Sequence, residues 1–192
     1  LANKHDFYLI SDEIYEHLIY EGEHFSPASV APDRTITVNG AAKAYAMTGW
    51  RIGYAGGPKD VIKGIIDVSS QSTTSPDTIA QWAMVEALNN TDASGQFIAM
   101  AREAYRARRN IIVKGLNDLG LHTPMVNGAF YVLSDTSRIH PNEVIATEKL
   151  LTEARVAVVP GTDFAAPHHV RLSYATSEAN IQKALERIAS IV

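Results

Sequence analysis

Lys43 is a candidate nucleophile. Small residues flank it (Gly40, Ala41, Ala42 and Ala44), and it follows an apolar run at 35–38 that ends in Asn39-Gly40. Partial desolvation in that setting would lower the amine's pKa and free its lone pair for Schiff-base formation with an aldehyde. Eight residues on, Arg51 stands beside Trp50 and just before another apolar run at 52–55. A guanidinium held there could clamp a phosphate through two parallel hydrogen bonds. Asp12 and Tyr15 follow the first apolar run, 7–10. A carboxylate beside a ring nitrogen keeps that nitrogen protonated and makes the ring an electron sink, and a phenol three residues on can donate to a ring oxygen. Arg171 sits in HVRLSY at 169–174. As a strand, that run puts Arg171 on one face with His169 and Ser173, and Val170 and Leu172 on the other. An arginine on a mostly buried strand needs an anion, either a substrate carboxylate or a structural partner such as Asp163. Each residue alone also has a plainer role: Lys43 a surface lysine, Asp12 a turn or cap residue, Tyr15 a core aromatic. Their joint presence favours chemistry.

The elements that must position these side chains follow from periodicity and punctuation. Runs at 7–10, 35–38 and 52–55 predict short strands ending in polar or glycine-rich loops, the edge at which α/β sheets collect ligands. Pro58 opens a helix through Val61, Ile62, Ile65 and Ile66, and a polar loop is expected over 71–74. Ser75-Pro76 reads as the start of the next helix, to about Leu88, apolar on most sides and so expected to be well buried. A longer helix is expected over 94–119, stopped by Gly120, with Arg102, Arg106, Arg108 and Arg109 on a solvated face. Beyond it the pattern changes to α+β, with strands at 129–133, 156–159 and 170–174 and helices at 141–154 and 177–191. Two domains are expected, 1–110 and 111–192. The opening Leu1-Ala2-Asn3-Lys4 reads like the end of a helix, and an N-terminal portion is expected to be missing.

The chain has 192 residues, 46% hydrophobic and 20% charged, with a formal charge of −4 and no cysteine. These are the proportions of a globular chain with a real core. They exclude thiol catalysis, disulfides and a disordered tail, and argue against a nucleic-acid binder that relies on positive charge. No apolar stretch is long enough to span a bilayer, and no secretion signal is visible. A cytoplasmic setting is expected. His168-His169 does not read as a metal site, because adjacent strand residues face opposite ways.

SDEIY at 11–15, NGAAKAYAMTGWRIGYAGG at 39–57, NGAFYVL at 127–133 and HVRLSYATS at 169–177 together resemble the class I aminotransferases. These are pyridoxal-phosphate (PLP) enzymes of the aspartate aminotransferase fold. The similarity is greatest to a bacterial subgroup of aspartate and prephenate aminotransferases, and it covers only the C-terminal half of that family's length. The resemblance implies an α/β fold of type I: the end of the large cofactor-binding domain followed by a small α+β domain. It implies that Lys43 carries PLP as a Schiff base and shuttles the substrate proton. It further implies that Asp12 pairs with the pyridinium nitrogen, Tyr15 donates to the phenolic oxygen, Arg51 holds the phosphate and Arg171 binds the substrate α-carboxylate. An L-amino acid, most readily aspartate, and a 2-oxo acid such as 2-oxoglutarate are the implied substrates, exchanged in a homodimer with shared active sites. The 192-residue chain alone is expected to be inactive. The sequence departs from some relatives at Gly40, where they have a phosphate-contacting Ser, and it has no Arg within 70–75 to hold a distal carboxylate. A PLP-dependent carbon–sulfur lyase, an aromatic or prephenate aminotransferase, and an aminotransferase-like regulatory module remain alternatives.

Overall fold

The computed structural model describes residues 1–192, in two compact units, Leu1–Ala101 and Arg102–Val192. The first opens with a short helix α1 (Ala2–His5), closed by Asp6 in the left-handed region at φ 53°. Its three-stranded sheet has the order β1 (Leu9–Asp12), β2 (Thr35–Gly40), β3 (Gly53–Gly56). β1 and β2 run parallel with Asp12 opposite Val38, and β2 and β3 run antiparallel with Gly40 opposite Gly53. The ends of β1 and β2 and the start of β3 therefore share one sheet edge. β1 lies two residues later than the apolar run that announces it, and Ile10 is 77% exposed rather than buried.

Two helices of this unit follow. α2 (Lys59–Ser72) overruns part of the expected loop. In its last turns the hydroxyls of Ser70 and Ser72 donate to the carbonyls of Asp67 and Ser69 in their own helix. α3 (Thr78–Asn89) starts later than Ser75-Pro76 suggests, with Asp77 as its cap. Its expected deep burial is also corrected. Ala80 and Met84 are buried, but Ile79, Trp82, Val85 and Leu88 are exposed within the chain.

The long helix α4 (Thr91–Asp118) contains the boundary between the units. In the second unit its residues Ile112, Val113 and Leu116 are buried, and Gly120 at φ 75° ends the run, its N–H donating to Asn117. The expected solvated arginine face is corrected at Arg109. That side chain is buried, and its guanidinium donates to the Val126 carbonyl at 2.8 Å and to Asn110 Oδ1. The second sheet is antiparallel, in the order β4 (Tyr131–Asp135), β6 (His169–Ser173), β5 (Val159–Pro160). Val132, Ser134, Val170 and Leu172 point to its buried face, and α5 (Glu143–Thr152) and α6 (Glu178–Ala189) bury Ala146, Leu150, Ile181 and Ile188. Full burial of each large aliphatic side chain contributes about 1.5–3 kcal/mol. The one hydroxyl pair in this core is satisfied, Thr123 donating to Ser134 at 2.8 Å.

Candidate active site

Asp12 ends β1, and the chain then turns tightly: Glu16 N–H donates to the Glu13 carbonyl and Leu18 N–H to that of Tyr15, each at 2.9 Å. Leu18 is fully buried and anchors the turn. The carboxylate of Asp12 accepts from Ile14 N–H at 3.3 Å and is otherwise exposed. Beside it Glu13 is buried. Its carboxylate accepts from Ser26 Oγ at 2.6 Å, lies 2.9 Å from His24 Nε2, and is approached by Thr37 Oγ1 at 3.4 Å. Burial would raise its pKa, but the hydrogen bonds from Ser26, His24 and Ser11 outweigh that, and Glu13 ionises below its ordinary value.

A second bond ties this turn to the next strand. Asn39 Nδ2 donates to Glu16 Oε1 at 2.6 Å, and Asn39 Oδ1 accepts from Gly40 N–H at 2.7 Å. Glu13, Glu16 and Asn39 were not singled out in the sequence, where their only signal was adjacency to Asp12, Tyr15 and Gly40. Ligand atoms of Glu13, Glu16 and His24 lie within 4.8 Å of one another, but both carboxylates already accept hydrogen bonds from protein donors. Tyr45 and Tyr54 ionise above their ordinary range, chiefly through burial, with the charge of Glu16 adding to it.

β2 ends at Gly40, and the chain folds back at once: Met47 N–H donates to the Ala41 carbonyl and Ala46 N–H to that of Lys43. Ala41 and Ala44 are buried, so the half-buried Lys43 rises from a turn packed on both sides by methyl groups. Its Nζ lies 5.9 Å from the centre of the Tyr15 ring, within cation–π range. A Cβ at Gly40 would come within 2.8 Å of the Ile52 carbonyl oxygen and 2.9 Å of Gly53 Cα. The close pairing of β2 with the start of β3 leaves no room for a side chain there.

Arg51 stands two residues before the start of β3. It takes a left-handed backbone at φ 52°, ψ 46°, a conformation that disfavours side chains by roughly 1–2 kcal/mol and is often kept at functional sites. Its guanidinium donates to the Thr48 carbonyl at 2.9 Å. Arg51 also borders a cleft of about 250 Å³ lined by Ile14, Asn39, Gly40, Ala42, Ile52 and Gly53. Asp12, Tyr15, Lys43 and Arg51 thus lie at one edge of one sheet, Asp12 at the end of β1, Tyr15 in the connection to β2, and Lys43 and Arg51 in the connection from β2 to β3.

Arg171 belongs to the other unit. It sits mid-way along the central strand β6, opposite Leu133 of β4 and Val159 of β5. Val170 and Leu172 are buried on the inner face, as the alternation predicts, which turns Arg171 to the half-open face. No ion pair holds it, to Asp163 or to any other carboxylate. Its Cζ lies instead 4.1 Å from the centre of the Phe164 ring and 4.4 Å from that of Tyr131. Neither ring stood out in the sequence, although Phe164 is an aromatic in an otherwise small and polar loop.

No helix of the structure is long and apolar enough to cross a membrane. Over residues 1–188 the chain matches the family model described as aminotransferase class I and II. It is 70% identical over 192 residues to the aspartate/prephenate aminotransferase of Thermus thermophilus, covering 100% of this chain and 50% of that protein. It is 45% identical over 198 residues to the aspartate aminotransferase of Rhizobium meliloti, covering 95% and 48%. The chain thus spans about half the length of these curated relatives. Among solved structures, Thermus thermophilus aspartate aminotransferase with maleate superimposes with a TM-score of 0.97 at 70% identity, over 100% of this chain and 50% of that one. The fold is the mixed α/β fold of those enzymes, and the chain belongs to the class I and II aminotransferase family.

Proposed function

We propose that this chain forms part of a PLP-dependent aminotransferase that moves an amino group between an L-amino acid, most readily aspartate, and a 2-oxo acid such as 2-oxoglutarate. The observation that carries the reading is the Lys43 amine 5.9 Å from the Tyr15 ring, at the sheet edge that also presents Asp12 and Arg51. The donor set fits the cofactor group for group: an amine for an aldehyde, a carboxylate for a basic ring nitrogen, a phenol for a phenolic oxygen and a guanidinium for a phosphate. When bound, PLP supplies an electron sink for the bonds of the substrate α-carbon.

In this reading Lys43 attaches the cofactor and, once displaced by substrate, accepts and returns the α-proton at Nζ. Asp12 keeps a proton on the ring nitrogen, and Tyr15 donates its hydroxyl proton towards the ring oxygen. Arg51 binds the phosphate, and its backbone conformation aims the side chain from a fixed point. Arg171, a cation without an ion pair, receives the substrate's α-carboxylate. We assign 1–110 to the large cofactor-binding domain and 111–192 to the small domain of a cytoplasmic homodimer with shared sites. The exposed apolar side chains of α3 support burial of that helix against a further surface. Prephenate as an alternative amino acceptor is supported by the name of the Thermus relative.

Borohydride reduction of the complete PLP-loaded protein, followed by peptide mapping, tests the assignment. The cofactor's mass is expected on the peptide that contains Lys43, and modification of a different lysine overturns the reading.

A further inference from the structure

The environment of Arg171 carries a second conclusion, which rests on the reading of that residue as the ligand of the substrate α-carboxylate. Tyr131 lies on β4 opposite Ser173, two pairs along from the Leu133–Arg171 pair, so its ring shares the half-open face with Arg171. Phe164 reaches the same guanidinium from the 3-10 turn Gly161–Phe164 that follows β5. The ring centres stand 4.4 and 4.1 Å from Cζ. Phe164 is 40% exposed, so core packing does not account for its position.

The loop that delivers Phe164 is fixed at both ends by one side chain. Glu143, in the first turn of α5, accepts from Thr162 Oγ1 at the loop's start and from His168 N–H, at 3.1 Å, at its end. A Cβ at Gly161 would fall 2.1 Å from the Ala166 carbonyl oxygen, so the turn is drawn as tight as glycine alone permits. A rigid sheet supplies one ring and a braced loop supplies the other.

We propose that Phe164 and Tyr131 are positioning residues for substrate binding, gripping the Arg171 guanidinium so that a planar carboxylate meets its N–H edge. The physics is that of a stacked cation. An aromatic ring against the guanidinium displaces water from its face and holds its plane, while the N–H groups, which lie in that plane, stay open. A carboxylate approaching in the same plane makes two parallel hydrogen bonds, and less rotamer freedom is lost when they form.

The test uses the complete PLP-loaded enzyme. Phe164→Leu and Tyr131→Leu are each expected to raise KM for the amino-acid substrate by about tenfold while kcat stays within about threefold. Calorimetric titration with maleate, a non-reacting dicarboxylate, is expected to show the same loss of affinity, and Phe164→Trp, which keeps a flat ring, to recover it to within about twofold. If Phe164→Leu leaves both the KM and the maleate affinity within about twofold of the parent, or if Phe164→Trp behaves like Phe164→Leu, the proposal is overturned. Arg171→Lys separates the two levels. If it leaves maleate affinity unchanged, the carboxylate reading of Arg171 itself fails. If it weakens maleate while Phe164→Leu does not, the clamp alone fails. Phe164 is partly exposed, so its variants are expected to fold, and they decide the matter should Tyr131→Leu disrupt the sheet.

Discussion

The two units handle their apolar side chains in opposite ways. In the second, Leu116, Leu121, Val132, Leu150, Val170, Leu172, Tyr174, Ile181 and Ile188 are all buried among three helices and an antiparallel sheet. In the first, Ile10, Ile66, Val68, Ile79 and Trp82 are exposed, while Leu18, Ala41 and Ala44 are buried in the turns that carry Tyr15 and Lys43. The second unit is a packed layer able to hold itself together. The first is organised around its sheet edge and leaves apolar faces that ask for cover. In the proposed reading the cofactor residues gather in the first unit, where local order comes from turns and hydrogen bonds, and the substrate's cation Arg171 belongs to the sheet of the second.

The largest expected effect separates these regimes. Leu116→Ala, at a side chain 1% exposed, is expected to destabilise the second unit by about 2–5 kcal/mol. Val68→Ala, at a side chain 71% exposed, is expected to change stability by less than about 0.5 kcal/mol. Urea unfolding of the two variants against the parent measures both. Equal losses would mean that Val68 is covered in the protein as it exists in solution, and would sharpen the case that the first unit's exposed face is an interface.

Much of this arrangement is legible in the sequence, for identifiable reasons. Alternation in residues 169–173 put Arg171 on the open face of β6, because the pleat alternates strictly and Val170 and Leu172 had to go inward. The spacing of Asp12, Tyr15, Lys43 and Arg51 placed them on loops at a common edge, since each follows or precedes a short apolar run. Hydrophobicity alone misled at α3, because an apolar helix can be apolar towards a surface outside the chain as readily as towards its own core. The arginine series on α4 misled at Arg109, because charge composition does not reveal that the carbonyl of Val126 waits 17 residues away to receive a guanidinium. Phe164 and Glu143 were invisible for the same reason: their partners are set by tertiary structure, with no local pattern to announce them.

A pH titration probes the brace that holds the second unit's loop. Hydrogen bonds from Thr162 and from the backbone of the α5 start and His168 pull the pKa of Glu143 from 4.5 down to about 2. A carboxylate with a depressed folded-state pKa contributes stability that is fully present above its unfolded value and is lost as pH falls through the folded one. The contribution of Glu143 is therefore expected to be complete at pH 5 and above, and to fade between about 4.5 and about 2. Glu143→Gln should lower stability at neutral pH and flatten that acid limb. Hydrogen exchange should then show faster opening of the loop about Thr162 and His168, with the first unit unaffected. Acceleration spread evenly over both units would contradict the division of labour drawn between them.

The smallest effect concerns the start of α3, where the first unit's local chemistry is most exposed to test. Ser75-Pro76 has the composition of a cap, yet the chain caps the helix at Asp77, whose Oδ1 accepts from Ala80 N–H at 2.9 Å. Two features favour the later start. A carboxylate adds a favourable charge at the positive end of the helix dipole, which the Ser75 hydroxyl lacks. Thr74, just before this pair, takes a left-handed conformation at φ 65°, so the backbone is not helical as it enters Ser75-Pro76. Asp77→Ala is expected to cost about 0.5–2 kcal/mol and Ser75→Ala less than about 0.5 kcal/mol. Because Asp77 also lines, with Trp50 and Arg51, a cleft of about 470 Å³, the helix start and the Arg51 loop share one surface. If Asp77→Ala frays α3 and also loosens the Arg51 turn in hydrogen exchange, the first unit behaves as one cooperative element despite its thin core; if only α3 responds, the sheet edge that carries Lys43 and Arg51 is held by its own turns alone.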